Sequence, residues 1–233
     1  MTRIGVLGGI GPEAKAEFYS KLIRRLQEKN LIKSNVDFPQ IIINSIPAPE
    51  LIYDNISETN LKPYRKGLQE LDNFHGDFIL MVCNTIHLYY DVLQREIRTP
   101  ILDLRKEIHN ELIKKGIKSV FVIGTPSTIK HGLYKFDNIN YFEPDESEMK
   151  QLTKSIFDFN RGFETGGCID FVRHVCKKYL ERGADIVILG CTEFALMLDK
   201  EKIPKINTID VLVNSAVDRF ISLKYISGKE ITR

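Results

Sequence analysis

The chain has 233 residues, 43% of them hydrophobic and 27% charged, which suits a soluble globular protein of one large domain or two lobes. Its 33 Lys and Arg against 31 Asp and Glu leave a formal charge of +2 and no long basic run, so nucleic-acid and membrane-surface binding are not expected. No stretch reaches 18 consecutive apolar residues, which argues against a membrane span, and four cysteines without framework spacing read as cytosolic thiols.

The opening MTRIGVLGGIGPEA lacks the long apolar core and cleavage site of a signal peptide, so a cytoplasmic protein is expected. An apolar, β-branched run at residues 3–7 predicts a strand, and a glycine-rich turn leads from it into a helix at 13–28. A strand at 40–46, a helix at 61–73 and a strand at 78–82 follow, then a helix at 88–97 and a strand at 101–104. The same alternation continues with a helix at 105–115, strands at 119–123 and 139–142, a helix at 169–182 and strands at 186–189 and 206–210. A final helix spans about 212–223. Asp145 is read as the cap of a further helix start. Several strands are apolar almost throughout, as strands buried on both faces of a parallel sheet are. The fold class expected is α/β.

Two segments repeat. Asp77-Phe-Ile-Leu-Met-Val-Cys83 resembles Asp185-Ile-Val-Ile-Leu-Gly-Cys191: an Asp opens a strand and a Cys closes it six residues later. Thr follows each time, as Asn84-Thr85 or Thr192, and Pro100-Ile-Leu-Asp103 or Pro204-Lys-Ile-Asn207 comes later. The strand ending at Gly8 is echoed by one ending at Gly124. The pattern predicts two similar lobes, residues 1–105 plus 211–233 around Cys83 and residues 106–210 around Cys191.

Ligands of open parallel sheets bind at the carboxyl ends of the strands, where both cysteines stand. A helix beginning just downstream lowers a thiol's pKa from about 8.5 toward neutrality, which fits a proton donor or acceptor. Cys168 and Cys176, eight apart on one helix face without repeat partners, read as packing residues. His87 lies four residues after Cys83 but is read as packing. No spacing suggests a metal site. Gly9-Ile-Gly11-Pro-Glu-Ala14 matches a dinucleotide fingerprint after a strand. The acidic residue expected at the end of the second strand is missing, and Pro12 removes a useful N–H, so no nucleotide is expected.

At Gly8-Gly-Ile-Gly-Pro12, Cys83-Asn-Thr85 and Gly190-Cys-Thr-Glu193, with Gly124-Thr-Pro-Ser-Thr128 and Tyr134 between them, the chain resembles the aspartate/glutamate racemase family. The resemblance implies two α/β lobes with one active site between them, commonly in a homodimer, and no pyridoxal phosphate, other cofactor or metal. It implies that Cys83 and Cys191 take opposite faces of the substrate carbon. Asn84, Thr85 and Thr192 would hold the α-carboxylate, Thr125 and Thr128 would contribute from the second lobe, and Glu193 would also contact substrate. Arg161 would correspond to a family Lys that binds substrate. The loop Pro47-Ala-Pro-Glu-Leu51 lacks an Arg found in aspartate racemases, and Lys15 stands where many relatives have Thr.

Racemisation removes the α-proton from one face and returns one to the other, so two acid/base groups are needed on opposite sides. Sulfurs each about 3–3.5 Å from Cα would stand roughly 7 Å apart, too far for a disulfide. The expected substrate is an acidic amino acid, with aspartate first. Glutamate, a broader range or a related isomerisation on the same scaffold are the alternatives, and a non-catalytic amino-acid-binding protein is a further one.

Overall fold

In the computed structural model, which describes residues 1–9, 11–53, 56–163 and 166–226, the apolar runs pair as two separate parallel sheets. The first has the order β2-β1-β3, from β1 (Arg3–Gly8), β2 (Gln40–Ser45) and β3 (Phe78–Met81). The second has the order β5-β4-β6-β7, from β4 (Ser119–Gly124), β5 (Asn140–Phe142), β6 (Ile186–Gly190) and β7 (Lys205–Asn207). Strands β3, β4 and β6 are buried at every position, which is why their sequences are apolar without alternation.

Two expected strands are cut short by capping side chains. At 101–104 only an isolated bridge, Ile79 to Ile101, extends the first sheet. Asp103 there accepts a hydrogen bond from Arg105 N and starts α4 (Leu104–Lys114). At 206–210 the strand stops at Asn207, whose side-chain oxygen accepts from Ile209 N at 3.0 Å as α9 (Thr208–Ile226) begins. The helix expected at 88–97 is a 3-10 turn (Thr85–Tyr89) running into the short α3 (Tyr90–Arg95).

The remaining helices are α1 (Pro12–Glu28), α2 (Glu58–Asp72), α5 (Pro126–Lys130), α6 (Glu146–Asn160), α7 (Gly166–Glu181) and α8 (Thr192–Met197). Asp145 caps α6 in a reciprocal capping box with Glu148, as its position before the Glu-Ser-Glu run indicates. The α9 helix packs on α1 and α4. Lys21 of α1 binds Asp210 of α9 at 2.8 Å, and Ser215 Oγ donates to Glu107 Oε2 at 3.0 Å. One apolar core runs from Val6 and Phe18 through Leu104 and Val187 to Phe220. A second, around Leu7, Tyr64, Leu68 and Met81, covers the other face of the first sheet. Cys176 is buried in α7, and Cys168 is half-buried on the same helix.

Candidate active site

The same device positions both cysteines. Asp77, just before β3, accepts from Arg3 N at 2.7 Å, and Asp185, just before β6, accepts from Lys118 N and Ser119 N at 2.9 and 2.8 Å. Each carboxylate ties the start of the Cys-bearing strand to the start of its central neighbour and so sets the register at which the Cys emerges. Cys83 follows Val82, whose N–H bonds the Leu7 carbonyl at 2.9 Å. Cys191 follows β6 directly and opens α8.

Both thiols line one cleft between the sheets, with Asn84, Thr85, Thr125, Thr192 and Glu193, and with Glu50, Leu51, Ile52, Ile156 and Asn160 around them. The walls leave a cavity of about 20 Å³, room for roughly one water molecule. An amino acid therefore needs the walls to yield.

Hydroxyl and amide groups knit the floor of this cleft. Thr85 Oγ1 lies 3.1 Å from both Thr125 Oγ1 and Thr128 Oγ1, so three buried hydroxyls join the two halves. Thr125 also caps α5 by accepting from Thr128 N. Asn84 Nδ2 donates to Thr208 Oγ1 at 3.1 Å, and the Tyr134 hydroxyl donates to Asn84 Oδ1. These bonds fix the amide orientation of Asn84 from two sides. The Cys191 thiol donates to Glu193 Oε2 at 2.7 Å, and Thr192 Oγ1 donates to the same oxygen at 3.1 Å. Gly11, at φ +67, caps α1, and a Cβ there would stand 2.9 Å from Glu193 Oε1. The glycine lets backbone and carboxylate approach. Ile10, inside the motif at residues 8–12, lies outside the described residues.

The expectation that both thiols titrate near neutrality is corrected. Burial pushes the Cys83 thiol up to about 12, and the Glu193 charge adds to this against the N–H groups of Ile86 and Thr85 and the Lys15 ammonium. Burial, then the Glu193 charge and hydrogen bond, hold Cys191 well above its usual value. The helical elements after the two cysteines are a five-residue 3-10 turn and the six-residue α8, too short to supply a strong dipole. Desolvation wins.

Arg161 is not brought into the cleft lining. It is exposed at the end of α6, with its guanidinium over the Phe157 ring at 5.8 Å, and its neighbour Asn160 lines the cleft instead. Glu193 is beside the chemistry, but its partner is the Cys191 thiol. His87 is fully buried, with Nε2 3.4 Å from the Met81 carbonyl and Nδ1 without a partner among the described residues. Residues that sequence reasoning left out of the site include Glu50, Asn160, Thr208 and Lys15. Lys15 carries a readable signal: a cation in the apolar stripe with Phe18 and Leu22, at the wrong end of a helix dipole. Among the described residues, no group of three or more His, Cys, Asp and Glu side chains could hold a metal ion, and no helix is long and apolar enough to cross a membrane.

Comparison with known proteins agrees with this architecture. The model of the Asp/Glu/hydantoin racemase family matches residues 7–216. The broad-specificity amino-acid racemase RacX of Bacillus subtilis is 28% identical over 94% of this chain and 98% of its own length. The Picrophilus torridus aspartate racemase shares the fold with a TM-score of 0.78 at 23% identity, covering 94% of each chain. An aspartate racemase homologue from Pyrococcus horikoshii OT3 does so with a TM-score of 0.76 at 24% identity, over 95% of this chain and 100% of that one. With the match spanning both cysteines and nearly the whole sequence, this chain belongs to the Asp/Glu/hydantoin racemase family and is an amino-acid racemase.

Proposed function

We propose that the enzyme moves the α-proton of an amino acid between Cys83 and Cys191, with no pyridoxal phosphate or metal, one sulfur acting as thiolate and the other as thiol. The observation that carries this reading is the convergence of both thiols on one cleft from matching ends of two sheets. In one direction the Cys83 thiolate takes the proton, its S–H bond forming as the Cα–H bond breaks, and the electron pair spreads into the α-carboxylate. The Cys191 thiol then gives its proton to the opposite face, the pair on Cα forming the new C–H bond. Cys83 ends as thiol and Cys191 as thiolate, and the reverse direction starts from there.

A carbanion beside a carboxylate needs fixed donors. The hydroxyls of Thr85, Thr125 and Thr192 and the amide of Asn84 supply them from positions already held by hydrogen bonds, with the fully buried Thr128 holding Thr85 and Thr125 from behind. Preorganisation of this kind means little has to rearrange as charge develops.

We read the substrate range as broad, with aspartate one member of it. Arg161, the cation expected to meet an acidic side chain, is exposed, and the loop carrying Glu50 turns a carboxylate-bearing residue toward the cleft. The broad specificity of the Bacillus subtilis relative RacX supports the same range. Incubating the enzyme with single L-amino acids and separating products by chiral chromatography tests this. D-enantiomers from several substrates are expected. Turnover of aspartate alone would contradict the range, and binding without turnover of any substrate would contradict the activity.

The lobe division at residues 105 and 211 is part of the same proposal, supported by α9 lying against α1 and α4, although residues 227–233 fall outside the described ones. A homodimer in the cytoplasm is also inferred. The edge strand β2 exposes Ile42 and Ile43, and unpaired edges with apolar side chains favour a partner. All four cysteines are free, as in a reducing compartment. Light scattering at micromolar concentration should give twice the chain mass, and a monomer would contradict it.

A further inference from the structure

Lys15 lies in the first turns of α1 on the side that buries Ala14, Phe18 and Leu22, and it is 4% exposed. A cation there opposes the helix dipole and loses its hydration, so its placement costs stability unless something negative meets it. Its Nζ has no hydrogen-bond partner among the described residues. The stem crosses the end of β1, where a Cβ on Gly8 would stand 1.9 Å from Lys15 Cδ; only a glycine leaves room for it. Gly8 ends β1 beside the strand end that carries Cys83, and Lys15 and Cys83 each feel the other's charge. Cys191, by contrast, hydrogen-bonds a carboxylate.

We propose that Lys15 is a positioning residue for Cys83: its buried ammonium is the counter-ion of the Cys83 thiolate, while Glu193 keeps Cys191 as the thiol. The proposal rests on the two-thiol reading and adds an asymmetry to it, since a thiolate then forms at lower cost on Cys83 than on Cys191. Ionisation sends the Cys83 proton to solvent, and Lys15 keeps its own three protons. The ionisable groups that face Cys83 from other elements are Glu193 of α8, Tyr64 of α2, Tyr134 beyond α5, and Cys191. Burial keeps the Tyr64 and Tyr134 phenols neutral and Cys191 is held as the thiol, so the charge that works against a thiolate is that of Glu193. The N–H groups of Thr85 and Ile86 favour one, and Lys15 supplies the positive charge.

The test is the rate of iodoacetamide alkylation at Cys83 and Cys191 at one fixed, mildly alkaline pH, read by peptide mass spectrometry in the parent, Lys15→Met and Lys15→Arg enzymes. An opposite charge close to a titrating group shifts it by about 1–3 pH units. Lys15→Met should slow alkylation of Cys83 tenfold or more, the effect of a shift of one unit or more on the thiolate fraction, and leave the Cys191 rate in place, and Lys15→Arg should keep the parent rate. Methionine keeps an unbranched stem of similar length, and Cys191 in the same molecule reports on the fold. An unchanged Cys83 alkylation rate in Lys15→Met would overturn the proposal, and a raised KM alongside it would assign Lys15 to the substrate carboxylate. Equal slowing at both cysteines, or Lys15→Arg behaving as Lys15→Met, would also overturn it. Failure of the racemase reading would show separately, as absence of D-product from the parent enzyme.

Discussion

The Cys191 thiol donates a 2.7 Å hydrogen bond to the carboxylate of Glu193, two residues further along the chain. This carboxylate lines the cleft, but one of its oxygens is already engaged by the sulfur and by the Thr192 hydroxyl. Glu193→Gln keeps size and an acceptor but removes the charge. The predicted result is a fall in kcat of about 10²-fold, the scale of a lost acid/base partner, with KM within twofold. Steady-state kinetics in both directions measure this; a raised KM with unchanged kcat would return Glu193 to substrate binding.

The three-hydroxyl cluster gives a second prediction. Thr85→Val keeps the shape of the side chain but removes two 3.1 Å contacts, while Thr125 and Thr128 keep each other. The expected loss is about 1 kcal/mol of folding stability, since one partner pair survives. In the same variant kcat/KM should drop, because a donor to the developing carboxylate charge is gone. Urea unfolding and initial rates read the two effects. Parent values for both would remove Thr85 from the site.

Burial lowers the pKa of His87 to about 4, so the folded protein keeps this imidazole neutral while the unfolded chain protonates it near 6.5. Between those values the unfolded state binds more protons, so stability falls as pH drops from about 6.5 to 4. The full loss is about 3 kcal/mol for a difference of this size. His87→Leu should flatten that part of the profile in urea titrations at pH 7, 5.5 and 4.5. An unchanged slope would mean that other groups set it.

Much of the plan was legible because it is written twice. Asp77 and Asp185 read as repeat markers, and their hydrogen bonds to the starts of β1 and β4 are the physical reason for the repetition. Asp103 and Asn207 also matched in the sequence, but their capping role was not read, so the strands beside them were drawn too long. The thiol positions followed from strand ends. Their pKa did not, because burial depends on how closely the halves meet, which local pattern does not encode. The same limit explains Arg161: its charge is visible in the sequence, but the turn at the end of α6 points Asn160 rather than Arg161 into the cleft. Lys15 could have been found by asking why a cation interrupts an apolar stripe.

The central claim is that two thiols work on opposite faces of Cα, and deuterium labelling in D₂O tests it most directly. With a proton taken by one sulfur and a deuteron supplied by the other, early product of inverted configuration should carry deuterium at Cα, and recovered starting enantiomer should carry almost none. Mass spectrometry of the separated enantiomers at low conversion reads both pools. Heavy early label in the recovered substrate, or product that retains the original hydrogen, would contradict the assignment of Cys83 and Cys191 to separate faces.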